Sequence, residues 1–153
     1  MTASVVRMLE MKSIDVEARK DEGYDDGSTC LMIAACYGRL DICRLLIDKG
    51  AQVEAKDRHG LTPLHYAAAY DRIDIARLLC DHGADVEARG NNGRRPLHLA
   101  AVYGHISVMK ELIEERNAEI NARDDDGMTA LTCSTRRNNP IITSYLISHG
   151  GIE

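Results

Sequence analysis

Tryptophan and phenylalanine are absent from this chain of 153 residues, and six tyrosines are its only large aromatic side chains. A core without either must be assembled from Leu, Ile, Val, Met and Ala, which favours thin, closely packed layers over one bulky centre. No apolar run approaches the ~18–20 residues that a membrane-spanning helix needs, so membrane insertion is not expected. Basic excess is also missing. Nineteen Lys and Arg against 24 Asp and Glu leave a net charge of −5, which favours solubility and counts against a nucleic-acid binder. Paired metal-ligand cysteines are lacking too, since Cys30, Cys36, Cys43, Cys80 and Cys133 are odd in number and irregularly spaced. Free thiols in a reducing compartment are the reading, with cytoplasmic residence expected, nuclear residence also open, and Cys36 partly exposed. Met1-Thr2-Ala3-Ser4 leads straight into an amphipathic segment, so a secretory leader is not expected.

What is present is organised around Gly60-Leu61-Thr62-Pro63-Leu64-His65-Tyr66-Ala67-Ala68. Thr62 is a helix cap, and Pro63 suits the first helical position, where its missing N–H costs nothing. Leu64, Ala67 and Ala68 set an apolar stripe at helical spacing, with alanines that admit a close neighbour. The same pattern returns with a period of 33. Turn glycines fall at Gly27, Gly60, Gly93 and Gly127, and core leucines at Leu31, Leu64, Leu97 and Leu131. Leu45-Leu46, Leu78-Leu79, Glu111-Leu112 and Tyr145-Leu146 keep the same step. A period of this length indicates a solenoid in which each unit buries its faces only against its neighbours.

These units resemble ankyrin repeats, whose signature is T-P-L-H-x-A. Thr62 to Ala67 matches it in full, and Pro96-Leu97-His98-Leu99-Ala100 matches most of it. The closing segment G-A-D-V-x-A stands complete at Gly83 to Ala88 and is close at Gly50 to Ala55. The resemblance covers about residues 4 to 153. It implies an all-α solenoid of stacked antiparallel helix pairs with β-hairpin or turn fingers, in one domain. A half repeat spans 1–23, and four repeats span about 24–56, 57–89, 90–123 and 124–153.

The half repeat carries Val5, Val6, Met8 and Leu9 at helical spacing, with no first helix before them. Lys20-Asp21-Glu22-Gly23 lengthens the first finger and makes it acidic. Repeat one has Cys30 and Met32 where the signature has Pro and His. Repeat three has Arg95 in place of the capping Thr, a loss of roughly 1 kcal/mol if nothing substitutes. It also holds one extra residue within Glu114-Glu115-Arg116-Asn117, where Asn117 can adopt the left-handed conformation. In repeat four Ser134 and Thr135 replace the paired alanines, polar residues expected on an outermost face. The helix-to-helix turns hold Gly38, Asp71, Gly104 and Asn138, all types that tolerate positive φ.

Catalytic and metal chemistry find no support. The six histidines do not share i, i+4 or C-x-x-C geometry, and the resemblance implies that His65 and His98 hydrogen-bond loop backbone. Asp124-Asp125-Asp126-Gly127 lacks the alternating ligands and distant Glu of a calcium loop. No glycine-rich phosphate loop is present. No enzyme, cofactor or metal is expected.

The resemblance implies that a protein partner binds the concave side, made of finger tips and the outer faces of first helices. In repeat one those positions are Asp25, Asp26, Ser28, Cys36 and Tyr37, and in repeat two Arg58, His59, Leu61, Ala69 and Tyr70. Repeat three contributes Asn91, Asn92, Arg94, Val102 and Tyr103, and repeat four Asp125, Asp126, Met128, Arg136 and Arg137. Lys56, Arg89 and Arg123 sit at finger bases, where pairing with neighbouring carboxylates is the simpler account. Tyr37, Tyr70 and Tyr103 recur every 33 residues, and Arg137 continues their row. The expected function is a monomeric, non-enzymatic interaction module for an unidentified protein. The alternative is nucleotide or short-RNA binding through tyrosine stacking and Arg94, Arg136 and Arg137 on phosphate.

Overall fold

A computed structural model describes Glu17 and residues 27–153. The half repeat, apart from Glu17, and the acidic finger extension lie outside the described residues. Within them the chain is an all-α solenoid of helix pairs. The pairs are α1 (Cys30–Cys36) with α2 (Leu40–Asp48), and α3 (Pro63–Ala69) with α4 (Ile73–Asp81). They continue as α5 (Pro96–Tyr103) with α6 (Ile106–Lys110), then α7 (Ala130–Arg136) with α8 (Pro140–Ser148). Each first helix packs on the first helices of the adjoining pairs and on its own partner, as nearest-neighbour stacking requires. Leu31, Leu64, Leu97 and Leu131 form one buried row, and Leu46, Leu79, Leu112 and Leu146 form another. The largest fully enclosed side chains are Leu, Ile, Met and two histidines, so the layers are as thin as an aromatic-poor composition demands.

The turns follow the sequence. Gly38, Asp71, Gly104 and Asn138 all adopt positive φ between helices, and Asn117 does so after the third pair. The extra residue of repeat three is absorbed inside the helix. α6 runs into a π-helical turn over Glu111–Glu115, and the Arg116 N–H reaches back five residues to the Glu111 carbonyl. The closing bond Ala118 N–H to Leu112 O then spans six residues. Its counterparts, Ala51 to Leu46, Ala84 to Leu79 and Gly151 to Leu146, span five.

Glu111 occupies the column of Leu45 and Leu78, and it is only 4 % exposed. Arg77 Nε (2.8 Å) and Arg116 Nε (3.0 Å) hold its two carboxylate oxygens. Ser134 also departs from expectation. It is fully buried between α7 and α8, where its hydroxyl donates to Leu131 O and bonds Thr143 Oγ1. Thr143 replaces Cys43 and Ala76 of earlier pairs, so the two polar changes satisfy each other.

The fingers are turns closed by two backbone bonds each: Asp57 N–H to Leu61 O with Gly60 N–H to Asp57 O, Gly90 N–H to Arg94 O with Gly93 N–H to Gly90 O, and Asp124 N–H to Met128 O with Gly127 N–H to Asp124 O. Adjoining fingers share a single backbone–backbone bond, Asn91 N–H to His59 O and Asp125 N–H to Asn92 O. No extended strand forms among the described residues, so the hairpin part of the expectation reduces to turns.

Because Arg116 keeps Asp81 (2.8 Å) and Arg77 is half exposed, Glu111→Leu restores the repeat's own pattern without orphaning a buried cation. Urea unfolding of that variant is expected to show stability unchanged or raised by about 1–2 kcal/mol. A clear fall would mean the paired carboxylate contributes more than a leucine would.

Candidate concave interface

Each finger is locked onto its helix pair by side chains that satisfy buried backbone groups. The Thr62 N–H and hydroxyl both donate to His65 Nδ1 (3.1 and 2.9 Å). That leaves the ring proton on Nε2, which donates to Arg94 O of the next finger at 3.0 Å. His98 repeats the device: Nδ1 accepts from the Arg95 N–H (3.1 Å), and Nε2 donates to Ala122 O and Met128 O. In repeat one the Met32 thioether takes the imidazole's place, accepting from the Thr29 N–H at 3.3 Å. Arg95 is therefore not the simple loss of a cap. His98 satisfies its N–H, and its guanidinium bonds Glu87 and, at 2.7 Å, Glu119. Burial pushes the His65 imidazole down to about 4 and lowers His98 in the same direction.

Two further ladders join the repeats, and sequence reasoning did not assign them. Carboxylates or amides of the closing segments accept the next segment's N–H: Glu17 from Gln52, Glu54 from Asp85, Glu87 from Glu119, and Asn121 from Ile152. At the start of second helices, Arg72 Nε donates to Cys36 O and His105 Nε2 to Ala69 O. The signal was a polar residue at a fixed offset in each repeat, visible only once the column is read as a bridge.

The expected contact residues divide on this scaffold. Asp25 and Asp26 lie outside the described residues. Tyr37, Tyr70 and Tyr103 end their first helices, exposed by 69 %, 49 % and 57 %. Cys36 is the largest influence raising the Tyr70 pKa, and burial, Tyr103 and Tyr37 add to the effect. Tyr103 also stacks on the His105 ring, with centroids 6.3 Å apart. Arg136 and Arg137 are exposed at the end of α7, and Arg58, His59, Asn91, Asn92 and Asp126 at finger tips.

Others are committed to the scaffold. Met128 is 8 % exposed, its N–H bonded to Asp124 Oδ1 and its carbonyl to His98, and Ser28 is 4 % exposed. Lys56 Nζ donates to Arg89 O (3.0 Å), Arg89 pairs with Asp125 (2.7 Å), and Arg123 holds Gly127 O and Glu153 O. The cation column thus bonds finger backbone and, through Arg89, the finger carboxylate Asp125. Arg94 Nε reaches buried Asp124 at 3.3 Å. Burial opposes ionisation of Asp124, but the Met128 N–H, Arg94 and the Asp126 N–H outweigh it and keep its pKa below the ordinary value. Leu61 is half-buried and lines a hollow with His59, Asn91, Asn92, Arg94 and Leu99.

Thiol chemistry has little to offer here. All five cysteines are free, and burial pushes Cys43 up to about 12 and Cys80 to about 11. Among the described residues no three His, Cys, Asp or Glu side chains gather as a metal site, and no helix is long and apolar enough to cross a membrane.

Models of ankyrin repeats match residues 2–90, as three copies, and residues 97–147, as many copies. The chain belongs to the ankyrin repeat family. No curated protein matches it closely enough to be counted as a relative. Ankyrin repeats generally mediate protein–protein interaction and are typically non-enzymatic.

The neutral His65 gives the ankyrin stack an acid-labile joint. With the native pKa near 4 and the unfolded value near 6.5, its stabilisation is complete above pH 6.5 and is lost as pH falls toward 4. Thermal melts from pH 7 to 4 are expected to reveal a loss on the order of 3 kcal/mol from this group. In His65→Gln the slope over that window should flatten. An unchanged slope would assign the acid sensitivity to other groups.

Proposed function

We propose that this ankyrin repeat protein is a monomeric, non-enzymatic module of the reducing cell interior that binds a protein partner along its concave face. The observation that carries the reading is the exposed tyrosine row. Tyr37, Tyr70 and Tyr103 are the large apolar side chains left open on first helices, and no tyrosine is buried among the described residues. Tyrosine supplies broad contact area and a hydroxyl at small entropic cost, which suits an interface anchor. Exposed Arg136 and Arg137 continue the row and set register with a partner of complementary charge.

A nucleotide or short-RNA ligand is less well supported. Arg94, one of the three cations it would need, is held by Asp124.

The double variant Tyr70→Ala/Tyr103→Ala is expected to weaken capture of the partner by about a hundredfold, two anchors at ~1–2 kcal/mol each, while the thermal midpoint stays nearly unchanged. Pull-down with mass spectrometry identifies the partner, and titration calorimetry measures the loss. Equal loss of binding and stability would make the tyrosines structural. Binding of oligonucleotides that falls steeply with salt would favour the other ligand class.

A further inference from the structure

The three finger junctions are built from the same columns, yet they are filled differently. At the first, the Tyr66 phenol lies between fingers, its hydroxyl donating to Asp57 Oδ2 (2.7 Å) and bonding Ser28 Oγ (3.1 Å). At the third, Arg94 spans the gap and pairs with Asp124 directly. The second junction has neither bridge. Leu99 stands in the column of Tyr66, Gly90 in the column of Asp57 and Asp124, and Leu61 in the column of Ser28 and Arg94. With the ring and the carboxylate both missing, a cavity of about 260 Å³ opens between fingers two and three. Leu61 and Leu99 give it apolar walls, while His59, Asn91, Asn92 and Arg94 form the rim.

Charge and shape narrow what fits. No carboxylate lines the hollow; His59 does, with exposed Arg58 beside it on the finger tip, while Arg94 on the rim is already paired with Asp124. The equivalent space one repeat earlier accommodates a phenol ring. Leu99 is also one helical turn before Tyr103 on α5, so the hollow is continuous with the tyrosine row. We propose that this hollow receives one aromatic side chain, phenylalanine or tyrosine, from an acidic segment of the protein partner. The proposal rests on the concave-face reading and specifies the partner's chemistry at one point of it. The ring replaces the missing Tyr66 counterpart, and flanking carboxylates face Arg58 and His59.

The test uses the full chain and a short labelled peptide with one phenylalanine among glutamates and glycines. Saturable shifts are expected at amides 59–61, 91–94 and 99 in two-dimensional NMR titration. Replacing the phenylalanine by alanine, or the glutamates by lysines, should weaken binding about tenfold or more. Leu99→Tyr, which copies Tyr66, should fill the hollow and reduce affinity to a similar degree. Gly90→Asp, which copies Asp57, should repel the acidic peptide. The φ of Gly90 is not in the left-handed range, but a Cβ there would lie 3.1 Å from Leu61 Cδ2, so the Leu61 side chain must shift to admit the aspartate.

Unchanged affinity in Leu99→Tyr, shifts elsewhere, or no saturable binding would overturn the proposal. Affinity lost in Tyr70→Ala/Tyr103→Ala but kept in Leu99→Tyr would discard the hollow and leave the concave-face reading standing. Shifts confined to second helices, with neither variant having any effect, would discard both.

Discussion

A buried imidazole that uses both nitrogens is the constraint from which the rest follows. Nδ1 of His65 accepts from the start of its own helix, and Nε2 donates to the next repeat's finger. One side chain therefore fixes the helix start, the finger position and the spacing between two repeats. The bond needs a neutral ring, which burial enforces, and no water is required to complete it. His98 does the same one step later and reaches two carbonyls at once. Around these hinges the thin aliphatic layers supply the packing free energy, and the backbone ladders through Glu54, Glu87 and Asn121 set the register.

Such a stack divides its residues by role. Positions between repeats are saturated with local partners, so variation is tolerated only where a side chain points outward or where two changes compensate. Glu111 is an example: a charge in a leucine column persists because two arginines meet it, one of them after the π-turn. Ser134 with Thr143 is another. The concave surface is what remains, and its tyrosine row and second-junction hollow are its least satisfied parts.

Much of this could be read from the chain alone. The 33-residue period identified the helix pairs, the core leucines and the positive-φ turns. The family resemblance also implied that His65 and His98 bond loop backbone. Less legible were features that depend on what faces a residue. Arg95 read as a lost cap because its two carboxylates lie 8 and 24 residues away. Met128 read as outward until the finger folded over it, and Ser134 read as terminal because Thr143 was not known to oppose it. The hollow was invisible for the same reason: Gly90 and Leu99 are ordinary in isolation, and only their meeting with Leu61 leaves space.

The central claim is that the histidine bridges hold the fingers in place before any partner arrives. Backbone ¹⁵N relaxation on the free protein tests it most directly, through order parameters for amides 91–94 and 125–128. Values near ~0.85, matching α3 and α5, are predicted for fingers so tethered. Values below about 0.6 would show that the fingers move independently of the stack and would contradict the account.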